Sequence, residues 1–243
     1  MGIGGSATND AGFGLARAIG WEFRDGDDYP IERWIDLDDL ERIQRPKRRL
    51  WTGLLQVAVD VQNPLLGARG ATRVYGPQKG LRPRDFAVAE RCFRRLAKVV
   101  KKQFGHDFAG EPGAGAAGGL GFGLRAFLSA RLVPGFDLFA RRANLQAHLR
   151  WADFVVTGEG SIDDSTFMGK GVGEIARLCR ELEIPCLGVG GRVTGRAHPH
   201  GYFTQVRALT DLATVEQAKA RPALWLERLA RDCARQITFQ IAI

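Results

Sequence analysis

Gly4 and Gly5 lead into Ser6, Thr8, Asn9 and Asp10, a combination suited to gripping a negatively charged oxygen. Glycine lets the backbone turn successive N–H groups toward one point, and the two hydroxyls can donate further hydrogen bonds. Phe13, Leu15, Ala16 and Ile19 follow at helical spacing, so the loop is expected to feed a helix whose N-terminal partial charge also favours anions. Asp10 would repel a phosphate. Its carboxylate suits a metal ion or the acceptance of a proton from a hydroxyl. The plainer alternative is that Asn9 or Asp10 caps the helix.

A second glycine cluster runs from Pro112 to Gly121 as PGAGAAGGLG, with helix expected after it. Gly113, Gly115, Gly118 and Gly119 are candidates for another phosphate cradle, and close packing through small residues is the alternative. Neither cluster matches GxxxxGK[ST], or GxGxxG after a strand, so those phosphate-binding motifs are excluded. A third group follows the apolar run Phe154-Val155-Val156-Thr157. It comprises Gly158, Glu159, Gly160, Asp163, Asp164 and Lys170, on a loop expected over 158–169. Parallel α/β sheets bind ligands beyond the carboxyl ends of their strands. Glu159 and Asp163 are therefore candidates to hold Mg²⁺, which takes few protein ligands, and Lys170 to neutralise phosphate charge. A solvated loop is the alternative. Asp60, Asn63, Gln78 and Lys79 form a fourth group, in which a lysine between glycines suits an anionic substrate, with an ordinary exposed-turn lysine as the alternative.

Elements able to position these groups can be read from periodicity. Leu54–Val61 and Thr72–Tyr75 read as strands. Phe86, Ala89, Phe93, Leu96, Val100 and Phe104 mark a helix over 84–104, and another is expected over about 137–149. Phe154–Thr157, Val172–Leu182 and Cys186–Val189 read as strand, helix and strand, one βαβ unit of a parallel sheet. A closing helix is expected over 214–237. The change of character near Trp151 suggests two domains, 1–150 and 151–243.

Composition bounds the function classes. Hydrophobic residues make up 45% and charged residues 26% of the 243, ordinary values for a folded chain. The net charge of +8 suits an enzyme of anionic substrates, with nucleic-acid binding as the remote alternative. The basic runs Arg45–Arg49 and Lys98–Lys102 lack interleaved aromatics and read as solvated faces. Cys92, Cys179, Cys186 and Cys233 have no CxxC spacing, so buried free thiols in a reducing cytoplasm are expected rather than a zinc site. The histidines show no triad or metal spacing, and His198 and His200 are given no role. No signal-peptide pattern and no long apolar span is present, which argues against a membrane protein.

Five blocks in order resemble the glycerate kinases of the bacterial glyoxylate, glucarate and galactarate pathways. They are GIGGSATND at Gly2–Asp10, NPLLG at Asn63–Gly67, YGPQKG at Tyr75–Gly80, PGAGAAGGLG at Pro112–Gly121, and TGEGSID from Thr157 with Gly169-Lys170 after it. The resemblance implies an α/β fold in which a flavodoxin-like parallel-sheet domain is interrupted by a second α/β domain. It implies transfer of the ATP γ-phosphate to a hydroxyl of D-glycerate, with Mg²⁺, giving phosphoglycerate and in many members the 2-phosphate. Residues 1–150 would be the inserted domain and 151–243 the returning part of the flavodoxin-like one. Family members carry a long stretch, including a DSFKGS-like segment, before GIGGSATND. The N-terminal portion is therefore expected to be missing here, and a non-catalytic remnant is the alternative to an active kinase. The family usually has Arg before the Ile-Asp of TGEGSID, where this chain has Ser161, so a guanidinium able to grip phosphate is lost. On this reading Gly4, Gly5, Ser6, Thr8, Asn9, Lys79, Gly113, Gly115, Gly118, Gly119, Gly158 and Gly160 bind substrate or phosphate. Asp10, Asp163 and Lys170 are catalytic, and Glu159 and Asp163 hold the metal. Which of Asp10 and Asp163 faces the glycerate hydroxyl stays open, as do the glycine loop that takes ATP and a homo-oligomeric state.

Overall fold

Phe13 and Ala16 are the buried residues of the first helix, α1 (Phe13–Ala18), which Gly20 terminates in the left-handed region at φ 91°. In this computed structural model residues 1–48, 53–167, 169–195 and 201–241 are described. Arg49, His198 and His200 lie outside the described residues. Two compact units are distinguished, Met1–Leu138 and Phe139–Ile243.

In the first unit, β1 (Glu22–Arg24) pairs antiparallel with β2 (Arg42–Gln44), and a 3₁₀ turn at Trp34–Asp39 lies between them. β3 (Gln56–Val59) is followed by α2 (Ala71–Tyr75), a 3₁₀ turn at Pro77–Lys79 and the long α3 (Phe86–Phe104). Then come α4 (Ala116–Leu128) and β4 (Arg131–Pro134), which pairs parallel with β3. The apolar stripe of α3 puts Phe93, Leu96 and Val100 fully inside. An aromatic cluster is built on Trp21, whose ring centroid lies 5.2 Å from that of Phe127 and 5.5 Å from that of Phe104. Such pairs add to the area they bury.

Thr72–Tyr75 is helical, which corrects the strand expected from its β-branched and aromatic residues. Strand propensity is weak against context. Here the Gly76 amide bonds the Thr72 carbonyl, and Thr72 is buried.

Glu111, just before the second glycine cluster, accepts two bonds from the Arg125 guanidinium on α4, at 2.5 and 2.7 Å. His106 lies 2.9 Å from the same carboxylate, and Arg125 also donates to the Ala130 carbonyl. The Arg125 hydrogen bonds hold the Glu111 carboxyl below its ordinary value. A group with a depressed folded value stabilises above its unfolded value, here about 4.5, and that stability is lost as pH falls through the folded one. Glu111→Gln is expected to cost about 1–3 kcal/mol at pH 7. Urea unfolding at pH 7 and pH 3 checks it, and the gap from wild type should shrink in acid.

α5 (Gly135–Arg142) carries the chain into the second unit. α6 (Leu145–Arg150) follows, so the single helix expected over 137–149 is two, broken at Asn144 in the left-handed region. β5 (Val155–Ile162), α7 (Gly171–Glu181), β6 (Cys186–Val193) and β7 (Gln205–Ala208) form a three-stranded parallel sheet in the order β5-β6-β7, with α7 packed on it. The architecture is thus mixed α/β with parallel pairing. β5 runs on through Gly158–Ile162, which the sequence read as loop. Gly158 lies so close to Val189 of β6 that a side-chain carbon would overlap the Val189 carbonyl oxygen, the close approach that glycine inside a strand allows.

α7 packs Ala176 and Cys179 with Ile162, Cys186 and Phe203. α8 (Val215–Ala220) and α9 (Pro222–Ile241) pack Ala218, Leu229 and Cys233 with Leu187 and Leu209. The closing helix is thus divided too, because Pro222 disfavours helical backbone at Arg221, which sits at φ −140° and ψ 63°. All four cysteines are buried and unpaired, and burial pushes the Cys186 thiol up to about 12. No helix among the described residues is long and apolar enough to cross a membrane.

Candidate functional site

The first unit divides its glycines into open and packed ones. Gly4 and Gly5 have nothing within 4 Å of where a side-chain carbon would stand, and Gly5 sits at φ 73°. Gly4, Gly5 and Thr8 are exposed and Ser6 is half-buried. Lys79, from the 3₁₀ turn after α2, donates its ammonium to both the carbonyl and the hydroxyl of Ser6. Desolvation holds the Lys79 ammonium below its ordinary value, opposed by the charge of Asp10. Ser6, Asp10 and Lys79 are thus brought together, with one ammonium hydrogen left for a ligand.

Asp10 is already engaged. Its Oδ1 accepts from the Gly12 amide and its Oδ2 from the Gly14 amide, both at 3.0 Å. It fills the start of α1, so these amides of the short helix are not free for an anion. Asn9 is buried. Its Nδ2 reaches Thr72 Oγ1 at 3.5 Å, and its Oδ1 has no partner among the described residues.

Glycines of the second cluster are packed. Gly113, Gly115, Gly118 and Gly119 are all buried. A side-chain carbon at Gly118 would overlap the Thr8 carbonyl oxygen, and one at Gly115 the Pro64 carbonyl oxygen. At Gly119 it would stand 2.7 Å from Ala11 Cα, and at Gly113 3.0 Å from Val59 Cγ2. The Gly115 amide donates to the Asn63 carbonyl at 2.9 Å, and the Ala11 amide to the Gly118 carbonyl at 3.0 Å. This cluster is the floor on which the 8–12 segment rests. Of the fourth group, Asn63 is held by Tyr75 Oη at 2.6 Å and by the Arg69 carbonyl at 2.7 Å. Asp60 and Gln78 are exposed.

In the second unit, the carboxyl end of β5 carries Glu159, Ser161 and, just beyond it, Asp163. Glu159 Oε1 accepts from the Thr166 hydroxyl at 2.7 Å and Oε2 faces Lys170 Nζ at 3.3 Å. Asp163 Oδ1 accepts from the Ser165 amide and hydroxyl, and Oδ2 from the Ser161 hydroxyl at 3.3 Å. These bonds, the Ser165 hydroxyl first, hold the Asp163 carboxyl below its ordinary value, so it is ionised at neutral pH. Gly160 is exposed with open space around it. Thr166, fully buried, joins the Asp163 amide to Glu159 and was not singled out from the sequence, because an isolated threonine carries no signal.

No group of three or more His, Cys, Asp or Glu side chains placed to hold a metal occurs among the described residues. Glu159 near the end of β5 and Asp163 just beyond it supply two carboxylates, the sparse protein share that magnesium takes when phosphates and waters complete its shell. Beside them, the sheet face opposite α7 carries an apolar groove of about 960 Å³ that includes Phe154, Val156, Val189 and Leu226, with Val156 61% exposed.

The described residues thus hold a parallel sheet with a polar turn at its strand ends in one unit and, in the other, an open glycine loop reached by Lys79. The glycerate kinase family pattern matches residues 1–238, and the chain belongs to that family. It is 37% identical over 241 residues to a glycerate kinase of Halalkalibacterium halodurans, covering 96% of this chain and 63% of that protein. To the glycerate 2-kinase of Escherichia coli it is 36% identical, covering 90% and 59%. A crystal structure described as glycerate kinase 2 from Salmonella typhimurium LT2 superposes with a TM-score of 0.79 at 33% identity, covering 99% of this chain and 64% of that one. The chain thus spans about six-tenths of the length of these relatives.

Proposed function

We propose that this chain carries the machinery for transferring the γ-phosphate of ATP to a hydroxyl of D-glycerate, with 2-phosphoglycerate as the product. Membership of the glycerate kinase family supports it, and the name of the Escherichia coli relative supports the 2-position. The observation that carries it is the lysine ammonium held beside an open glycine loop, Lys79 on Ser6. Glycerate is a carboxylate with two hydroxyls. Lys79, Ser6 and the backbone at Gly4 and Gly5 would hold the carboxylate, with Thr8 donating its hydroxyl and the buried Asn9 amide bracing the loop. Asp10, fixed by two amides, would orient the accepting hydroxyl. Gly113, Gly115, Gly118 and Gly119 would keep the loop in shape from below.

At the second unit, Lys170 and the backbone at Gly158 and Gly160 would face ATP phosphates. Asp163, held by the Ser165 amide and hydroxyl, would present a carboxylate beside Glu159. Glu159 and Asp163 would hold Mg²⁺, which when bound neutralises phosphate charge. Phosphoryl transfer asks mainly for positioning and charge neutralisation, which these groups supply. The four unpaired thiols suit a reducing, cytoplasmic setting.

ADP release by the purified 243-residue chain tests the proposal. Release should require both ATP and D-glycerate, and the product should be a direct substrate for added enolase. ADP release that ignores D-glycerate, or no release at all, would count against it.

A further inference from the structure

Parallel pairing of β5 with β6 sets Ser161 directly beside Arg192. Arg192 Nε donates to Ser161 Oγ at 3.3 Å, and Ser161 Oγ in turn donates to Asp163 Oδ2 at 3.3 Å. The guanidinium is thereby anchored through one N–H. Its two terminal nitrogens have no partner among the described residues, and the residue is exposed. Glu159 and Asp163, the nearby carboxylates, are engaged by Thr166, Lys170 and the serines. Open backbone at Gly160 lies one residue before Ser161.

From this arrangement we infer that Arg192 is a phosphoryl-binding residue, its two terminal nitrogens gripping non-bridging oxygens at the carboxyl end of β5 and β6. The inference rests on the proposed kinase reading for its ligand class. A guanidinium anchored at Nε keeps its planar fork free, the geometry that matches phosphate with two parallel hydrogen bonds. The position is where parallel sheets take their ligands. Ser161 then couples the arginine to the ionised Asp163.

Binding of ATP, of phosphoglycerate and of inorganic phosphate to the full chain, measured by calorimetry, tests this. Arg192→Gln should weaken the phosphate ligands by about 10- to 100-fold, the scale of a lost charged hydrogen bond. Arg192→Lys should recover part of the loss. The exchange Ser161→Arg with Arg192→Ser should recover most of it, because either strand then presents a guanidinium at the same level of the sheet. Arg192 is exposed, so the melting temperature should not move. Loss confined to ATP places the nucleotide phosphates there. Loss confined to phosphoglycerate places the transferred group there.

The inference is overturned if wild type binds none of the three, if Arg192→Gln binds all as wild type does, or if the exchanged pair is as weak as Arg192→Gln. Turnover by wild type with binding unchanged in Arg192→Gln would remove this inference and leave the kinase reading standing. Binding lost in Arg192→Gln without turnover in wild type would do the reverse.

Discussion

A Lys79→Met variant is expected to lose about 10- to 100-fold in kcat/KM for D-glycerate, the scale of a lost hydrogen bond to a charged group. Lys79 is the cation brought onto the open glycine loop, through Ser6. Methionine keeps the length and apolar stem and removes only the charge and the donors. Stability should move the other way in pH. The folded value of Lys79 is lowered, chiefly by desolvation, below the ordinary 10.5. The unfolded chain therefore binds more protons than the folded one in the alkaline window below 10.5, and stability contributed by this residue rises with pH across it. Lys79→Met should remove that slope. Steady-state kinetics together with urea unfolding at pH 7 and pH 10 read both effects. A variant with unimpaired kcat/KM would take Lys79 out of the site.

Gly118→Val is expected to destabilise the first unit by about 3 kcal/mol or more, combining left-handed backbone strain with overpacking. Gly118 sits at φ 69°, and any side-chain carbon there would overlap the Thr8 carbonyl oxygen. The segment displaced is the one that carries Asn9 and Asp10. Gly4→Ala makes the contrast, because nothing lies within 4 Å of the new carbon and its φ is not in the left-handed range. That variant should unfold within about 0.5 kcal/mol of wild type and show its effect in KM for glycerate. Thermal melts of the two proteins separate packed glycines from open ones. Equal melting temperatures would mean that the second cluster is not the floor described above.

Sequence alone could not make that separation. GIGGSATND and PGAGAAGGLG look alike as strings of small residues, and only the approach of one backbone to another shows which is filled. The same limit explains β5. Gly158 and Gly160 read as loop because glycine is scarce in strands, yet the close approach of Val189 keeps the strand going to Ile162. Arg192 lay beyond reach for a related reason: its partner Ser161 is far away in the chain, and strand register alone makes them neighbours. What was legible followed from periodicity and local chemistry. Phe93, Leu96 and Val100 announce α3, and the spacing of Phe154–Thr157, Val172–Leu182 and Cys186–Val189 announces the parallel unit. Lys79 stood out because a lysine in a glycine-flanked turn suits an anion, although exposed-turn lysines are common. Asp10 showed the ambiguity of short polar residues before a helix. The structure has it capping α1, while its oxygens keep further lone pairs for a hydroxyl.

Phosphorus NMR of ATP, magnesium and D-glycerate incubated with the chain tests the central claim most directly. The γ-phosphorus signal of ATP should disappear as a phosphomonoester signal grows in equal amount, and omitting D-glycerate should stop both changes. An ATP spectrum unchanged over hours, or conversion to inorganic phosphate regardless of D-glycerate, would contradict the account.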